Sequence, residues 1–373
     1  MSQVQNRGCA GWTTRRVRGW AICGWIVCAT SGLSVGACGE KGQEGPGPSG
    51  SGGRTGSGGD EAGDGDGDGA LGGQNGSGGR GGNSDTCTVF PVDSAWNQDV
   101  SGLPVHDNSD NFIAAIGVDD HVHPDFGTEW EGAPIGIPYV EVDSSTPLTD
   151  IQYVAYGDES DPGPFPIPLD SPIEGGPDSD GDRHVIAWDR EGCVLYELYS
   201  SYPFDDHWEA GSGAAYDLSI NDDHPEGCTS ADAAGLPIFP GLVRYDEVVE
   251  QEEITHALRF TVQRSQRAYI YPARHYASSD TDPDLPPMGL RLRMKAGYDC
   301  SSFSREASVV CAALKTYGMI VADNGSNWYI SGAPDPRWND EALGDLKSIP
   351  GSAFEVVDTG EELVTDAPDC EIE

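Results

Sequence analysis

The sequence predicts a mainly β protein, with α+β as the neighbouring class: antiparallel sheets in a single sandwich- or barrel-like domain, with a helix packed on a sheet. Three observations predict it. Residues 86–373 hold at least seven short strand-like runs against two or three short helical patterns. Gly, Pro, Asn and Asp punctuate those runs at short intervals, as turns do. No internal repeat of propeller-blade length is visible, and a strand-rich body of this size fits one sandwich or barrel undivided.

In chain order, DNFIAAIG reads as a short helix after the loop PVDSAWNQDVSGLPV. GIPYVEV and IQYVAY alternate enough to be strands. DESDPGPFPIPLDSPIEGG carries too much proline for a central strand and predicts an extended surface loop. HVIAWDREGCVLYELYS predicts a hairpin that turns at Asp189-Arg190-Glu191-Gly192. Residues 204–241 read as loop. HALRFTV, AYIYPARHY and LRLRMKA read as three further strands.

Ser304 caps a predicted helix over 305–317, with Glu306 in its first turn where the helix dipole favours a carboxylate. Val310, Ala313, Leu314 and Tyr317 make its apolar stripe, and Gly318 stops it. MIVAD and NWYIS flank Asn324-Gly325, a strong hairpin signal. ALGDLKSIPGSAFEVV reads as a short helix and a last strand.

The ends differ in kind from this body. Residues 1–37 resemble a bacterial lipoprotein signal. Arg15, Arg16 and Arg18 precede an apolar stretch, and Val35-Gly36-Ala37-Cys38 matches a lipobox with Cys38 as the lipidated residue. With Gly39 rather than Asp after the cysteine, the resemblance implies an exported, lipid-anchored protein at the outer membrane or cell surface. An uncleaved anchor helix is the rival reading. Residues 38–85 are rich in Gly, Ser and Asp and offer almost nothing to bury, so they predict a disordered tether.

Ten cysteines sort accordingly. Three lie in the signal segment and Cys38 is the lipid site. Six remain, and an even number in an exported domain reads as disulfides. Cys87 with Cys370, Cys193 with Cys228 and Cys300 with Cys311 are the pairings suggested by chain ends and proximity. The formal net charge of −41, from 21 basic and 62 acidic residues, repels polyanions and argues against nucleic acid as a partner. Neutral polysaccharide, a cationic ligand or Ca²⁺ remain compatible.

Candidate chemistry falls at four places. His121, His123 and Asp125 alternate along HVHPD, so both imidazoles and the carboxylate could face one divalent metal. Asp178 to Asp182 begins like a Ca²⁺ loop but lacks the twelfth-position glutamate and the flanking helices. Asp182 and His184 then share a face at the mouth of a strand, where acid–base groups are often mounted. Arg274 and His275 end the AYIYPARHY run, with Arg274 suited to a substrate carboxylate, and Asp323 stands at the Asn324-Gly325 turn. His256 and Arg259, on the HALRFTV run, could be brought near that rim. Trp130, Trp208, Trp328 and Trp338 sit among Gly, Asp and Pro, where tryptophans stack on sugar rings or pack a core. No nucleophile elbow, HExxH or phosphate-cradling glycine loop is present.

At PARHYAS, PPMGLRLR, ALKTYGMIVADNGSNWYISGAPDPRW, HPDFG and GDRH the chain resembles an uncharacterised family of secreted bacterial proteins, over most of residues 90–350. The resemblance implies a shared exported domain and supplies no reaction. From the residues, the leading expectation is a surface-tethered carbohydrate-active protein, a glycoside hydrolase with Asp182 and Asp323 as its carboxylates, His184 and His275 in support, and Arg274, Trp208 and Trp328 holding the substrate. A non-catalytic carbohydrate-binding or scaffold lipoprotein and a metal-dependent hydrolase at His121, His123 and Asp125 are the alternatives.

Overall fold

The computed structural model describes residues 87–372; the predicted signal segment, Cys38 and the tether lie outside them. Three α-helices are α1 (Ser109–Ile116), α2 (Arg305–Thr316) and α3 (Asp340–Leu343). Fifteen short strands follow in chain order. They are β1 (His123–Asp125), β2 (Glu129–Trp130), β3 (Ala133–Pro134), β4 (Tyr139–Val142) and β5 (Asp150–Tyr153). Next come β6 (Val185–Asp189), β7 (Val194–Tyr199), β8 (Tyr202–Pro203), β9 (His207–Ala210) and β10 (Ser212–Asp217). The last are β11 (Leu258–Val262), β12 (Arg291–Met294), β13 (Met319–Asn324), β14 (Tyr329–Ser331) and β15 (Phe354–Val356). The protein is mainly β, in mixed rather than purely antiparallel sheets, and among the described residues no sheet closes into a barrel. None of the described helices is long and apolar enough to cross a membrane.

A six-stranded sheet runs β1-β14-β11-β13-β12-β15 and a four-stranded sheet runs β10-β7-β6-β4. Strand β6 explains how they share a core. Its side chains alternate faces. Ile186 and Trp188 face the main core, with Leu195 of β7, while Val185 and Ala187 face a smaller core with Trp208, Ile167 and Leu198. The small three-stranded sheet β5-β9-β8 supplies Trp208 from β9 to that second core. Both faces of β6 are therefore covered, which is why it reads as an unbroken apolar run.

Helix α2 forms as its sequence dictates. The Ser304 side chain accepts the Ala307 N–H, Glu306 lies in the first turn, and Val310, Ala313 and Leu314 are buried on the sheet side. Gly318 then adopts φ 68°, and a Cβ there would land on the Leu292 carbonyl oxygen. The hairpin at 185–199 also forms as predicted, with the Gly192 N–H donating to Asp189 Oδ1 at 2.7 Å in its turn.

Three expectations are corrected. The Asn324-Gly325 segment is not a hairpin turn, because β13 and β14 lie on opposite sides of β11. The turn carries the chain around the end of β11, held by Gly325 N–H to Val262 O at 2.9 Å and Trp328 N–H to Thr261 O at 3.2 Å. AYIYPARHY is not a strand; it makes only isolated bridges at Tyr269, since Pro272 offers no donor to a ladder. Conversely, β9 and β10 lie in the stretch read as loop. The glycines that suggested loop there permit close packing: a Cβ at Gly213 would stand 2.7 Å from the Leu198 side chain.

All six body cysteines form disulfides, but two pairings differ from expectation. They are Cys87–Cys193, Cys228–Cys370 and Cys300–Cys311. Proximity in sequence found only the last. The other two close loops of 106 and 142 residues, which no local pattern encodes.

Candidate active site

The mouths of β6, β7 and β10 lie at one end of the four-stranded sheet, and the C-terminal end of β13 approaches them. Between them is a cleft of about 500 Å³. Asp182, His184, Tyr199 and Ser212 line it from the first group, and Asp323 and Asn324 from β13. The loop 229–233 and the segment 275–279 complete the walls, with Tyr156, Glu159 and Arg267. All four residues expected to be catalytic, Asp182, His184, His275 and Asp323, thus line a single cleft.

A backbone irregularity positions Asp323. Strands β11 and β13 pair Phe260 with Val321 and then Thr261 with Asp323, so Ala322 is an extra residue, a β-bulge. Bulges redirect the side chains beside them. Burial pushes the Asp323 carboxyl up to about 7, and the neighbouring Asp232 charge adds to that, with Asp182 a smaller contributor in the same direction. Arg259 and the Asn324 N–H oppose it without prevailing. Asp323 therefore keeps its proton up to near neutrality.

Beneath the cleft lies a buried ionic floor. Arg259 of β11 donates to Asp232 Oδ2 at 2.6 Å and to Ser331 Oγ at 2.9 Å. Asp232 Oδ1 accepts the Ala234 N–H at 2.9 Å. The His184 ring donates from Nδ1 to Glu174 at 2.7 Å and from Nε2 to the Ala231 carbonyl at 3.0 Å. A carbonyl oxygen can only accept and a carboxylate takes the second donor, so the ring is an imidazolium. Burial works against that charge, but Glu174 overrides it and holds His184 up at about 9. At 3% exposure with both nitrogens engaged, His184 cannot exchange a proton with substrate; it pins the 231–233 wall. Its expected catalytic role is corrected to one of positioning.

His275 is different. Its Nδ1 donates to the Ala233 carbonyl at 3.0 Å, which places a proton on Nδ1, and its Nε2 has no protein hydrogen-bond partner. Two of the four serines that line the cleft are already committed: Ser212 Oγ donates to Ser230 O at 2.7 Å and Ser230 Oγ to Leu236 O at 2.9 Å, while Ser278 Oγ accepts the Asp280 N–H at 3.1 Å. The His184 and His275 rings bond Glu174 and the Ala231 and Ala233 carbonyls and no serine, so no serine–histidine pair is hydrogen-bonded in this cleft.

The remaining expectations fall away from the cleft. Trp208 and Trp328 are both 0% exposed and donate from their indoles to Ile167 O and Gly117 O, so neither can stack on a sugar. Trp338 is buried too, and of the four only Trp130 is exposed. Arg274 is turned to the His224 carbonyl at 3.0 Å and does not line the cleft. His256 sits in a separate buried group with Glu247 and Arg244.

The proposed metal set also separates. His121 and His123 border a different open groove, with His123 stacked on Tyr329 at 4.2 Å, whereas desolvation and the Glu174 charge raise the Asp125 carboxyl. In the Asp178–Asp182 loop the Arg183 guanidinium donates to the Pro177 and Ser179 carbonyls, so the loop is closed around a protein cation. Among the described residues no three His, Cys, Asp or Glu side chains stand where they could share one ion.

Sequence reasoning missed Glu174, Asp232 and Glu197. Glu197 on β7 is 0% exposed and accepts the Ile238 and Phe239 N–H groups, and burial raises it to about 7. Ser230-Ala231-Asp232-Ala233 matches no catalytic motif, yet it forms a cleft wall. Compared with family models, with curated proteins and with solved structures, the chain gives no significant match.

Proposed function

We propose that the cleft is the active site of a glycoside hydrolase that works by general acid–base catalysis on an extracytoplasmic polysaccharide. The observation that carries this reading is Asp323: a carboxylic acid protonated near neutral pH, in one cleft with a second carboxylate, Asp182, and with the free Nε2 of His275. Glycosidic cleavage needs an acid to protonate the leaving oxygen and a group of opposite role to handle water or the developing cation. Asp323 donates the proton, His275 Nε2 accepts one from the attacking water, and Asp182 stabilises positive charge on the sugar ring. Tyr156, Tyr199 and Tyr276 in the walls give sugar rings aromatic faces, in place of the buried tryptophans. Three disulfides favour an oxidising compartment, which fits export, the lipid anchor at Cys38 and an outer-membrane or surface location.

The test is turnover on a polysaccharide panel by wild type and D323N, with and without chelator. Loss of the general acid lowers kcat by about 10²–10⁴. Because Asp323 must be protonated, wild-type kcat/KM falls as pH rises through about 7. Binding without turnover, a D323N enzyme of normal rate, or activity lost on chelation overturns the reading.

A further inference from the structure

We infer that the glycan taken by this cleft carries a carboxylate, a uronic acid in an otherwise neutral chain, and that Arg267 reads it. The inference builds on the hydrolase reading for its setting, but it is tested by binding and needs no turnover. Arg267 is exposed at the cleft wall. Its guanidinium carbon lies 5.1 Å from the Tyr276 ring centroid, and Tyr276 stacks in turn on His275 at 5.5 Å and 12°. The cation is therefore carried on the same aromatic stack as the candidate base.

Its lack of a partner is the second observation. Among the described residues, every other arginine enters an ion pair or donates to a backbone carbonyl. The Arg267 side chain does neither, in a chain with 62 acidic residues to 21 basic ones. The adjacent carboxylate, Asp280, accepts the Arg264 guanidinium at 2.8 Å. The ring contact takes none of the guanidinium N–H donors, no protein acceptor takes them either, and a guanidinium edge matches a planar carboxylate bidentately. The field of a −41 chain opposes a dense polyanion, so isolated uronates on a neutral backbone are the compatible form. The substrate-carboxylate role that the sequence assigned to Arg274 thus belongs to Arg267.

The experiment is calorimetric titration of the full chain with matched oligosaccharides: xylo-oligosaccharides with and without one glucuronate branch, cello-oligosaccharides with and without one residue oxidised at C6, and a sulfate-ester counterpart. The uronate member of each pair binds about tenfold tighter. R267Q abolishes that ratio, R267K restores part of it, and D323N, which removes turnover, keeps it. Thermal melting of each variant confirms folding. Equal binding within pairs, no binding at all, a ratio that survives R267Q, or preference for the sulfate ester overturns the inference. Uronate-selective binding without hydrolysis by wild type leaves it standing while the hydrolase reading falls; hydrolysis with no uronate preference does the reverse.

Discussion

Arg259 and Asp232 set the charge balance under the cleft. Their side chains are 3% and 0% exposed, so neither has water to fall back on. Removing one partner of such a pair strands the other, at a cost of about 3–5 kcal/mol. D232N should therefore lower the melting temperature markedly. It should also act on Asp323, which loses a negative neighbour and faces an uncompensated Arg259, so its pKa falls. The alkaline limb of kcat/KM then moves to lower pH, and a limb that stays at about 7 in D232N would show that Asp232 does not tune the acid. Which residues were legible follows from the same geometry. GDRH, the His275 segment and Asp323 announced themselves as polar groups at strand ends. Their partners did not, because Glu174 meets His184 across 10 residues, Asp232 meets Arg259 across 27, and Glu197 meets Ile238 across 41.

At the scale of elements, local rules succeeded where a segment satisfies itself. Helix α2 contains its own cap, stripe and stop, and these can be ranked by physics. G318A adds both a positive-φ penalty and a clash with a backbone oxygen that cannot move aside, so it should cost more than ~1 kcal/mol. S304A removes one cap, worth about 1 kcal/mol, although the Ser304 hydroxyl also donates to Ala342 O at 2.8 Å. Urea melts should rank G318A below S304A, and the opposite order would mean that the left-handed stop matters less than the cap. Local rules failed where a turn signal fits two topologies. Asn324-Gly325 satisfies a tight turn whether the strands it joins pair with each other or straddle a third. The choice belongs to β11, whose Val262 and Thr261 carbonyls receive the Gly325 and Trp328 N–H groups.

At the scale of the whole molecule, the two sheets and their loops hold titratable groups that water would otherwise reach, and stability inherits their pH dependence. Glu197 titrates near 4.5 when unfolded and is raised to about 7 in the fold; His184 moves from 6.5 to about 9. A group with a raised folded pKa contributes stability that is complete below its unfolded value and lost as pH climbs through the folded one. Glu197 thus removes stability between about 4.5 and 7, and His184 between about 6.5 and 9. The carboxylates held low by cations, Glu174 and Glu247, act in the opposite sense, as pH falls below the ordinary carboxylate range. Between pH 5 and 8 the raised groups, Asp323 among them, act against His123 and His224, whose burial lowers them and adds stability as pH rises. With three raised groups of large shift, the melting temperature should decline across the window. The Glu197 share is on the order of 3 kcal/mol, or several degrees. E197Q keeps an acceptor for the Ile238 and Phe239 N–H groups but cannot ionise, so its melting curve should be flatter from pH 5 to 7 even if its absolute stability is lower. Parallel wild-type and E197Q profiles over that window would remove the buried carboxyl as the cause.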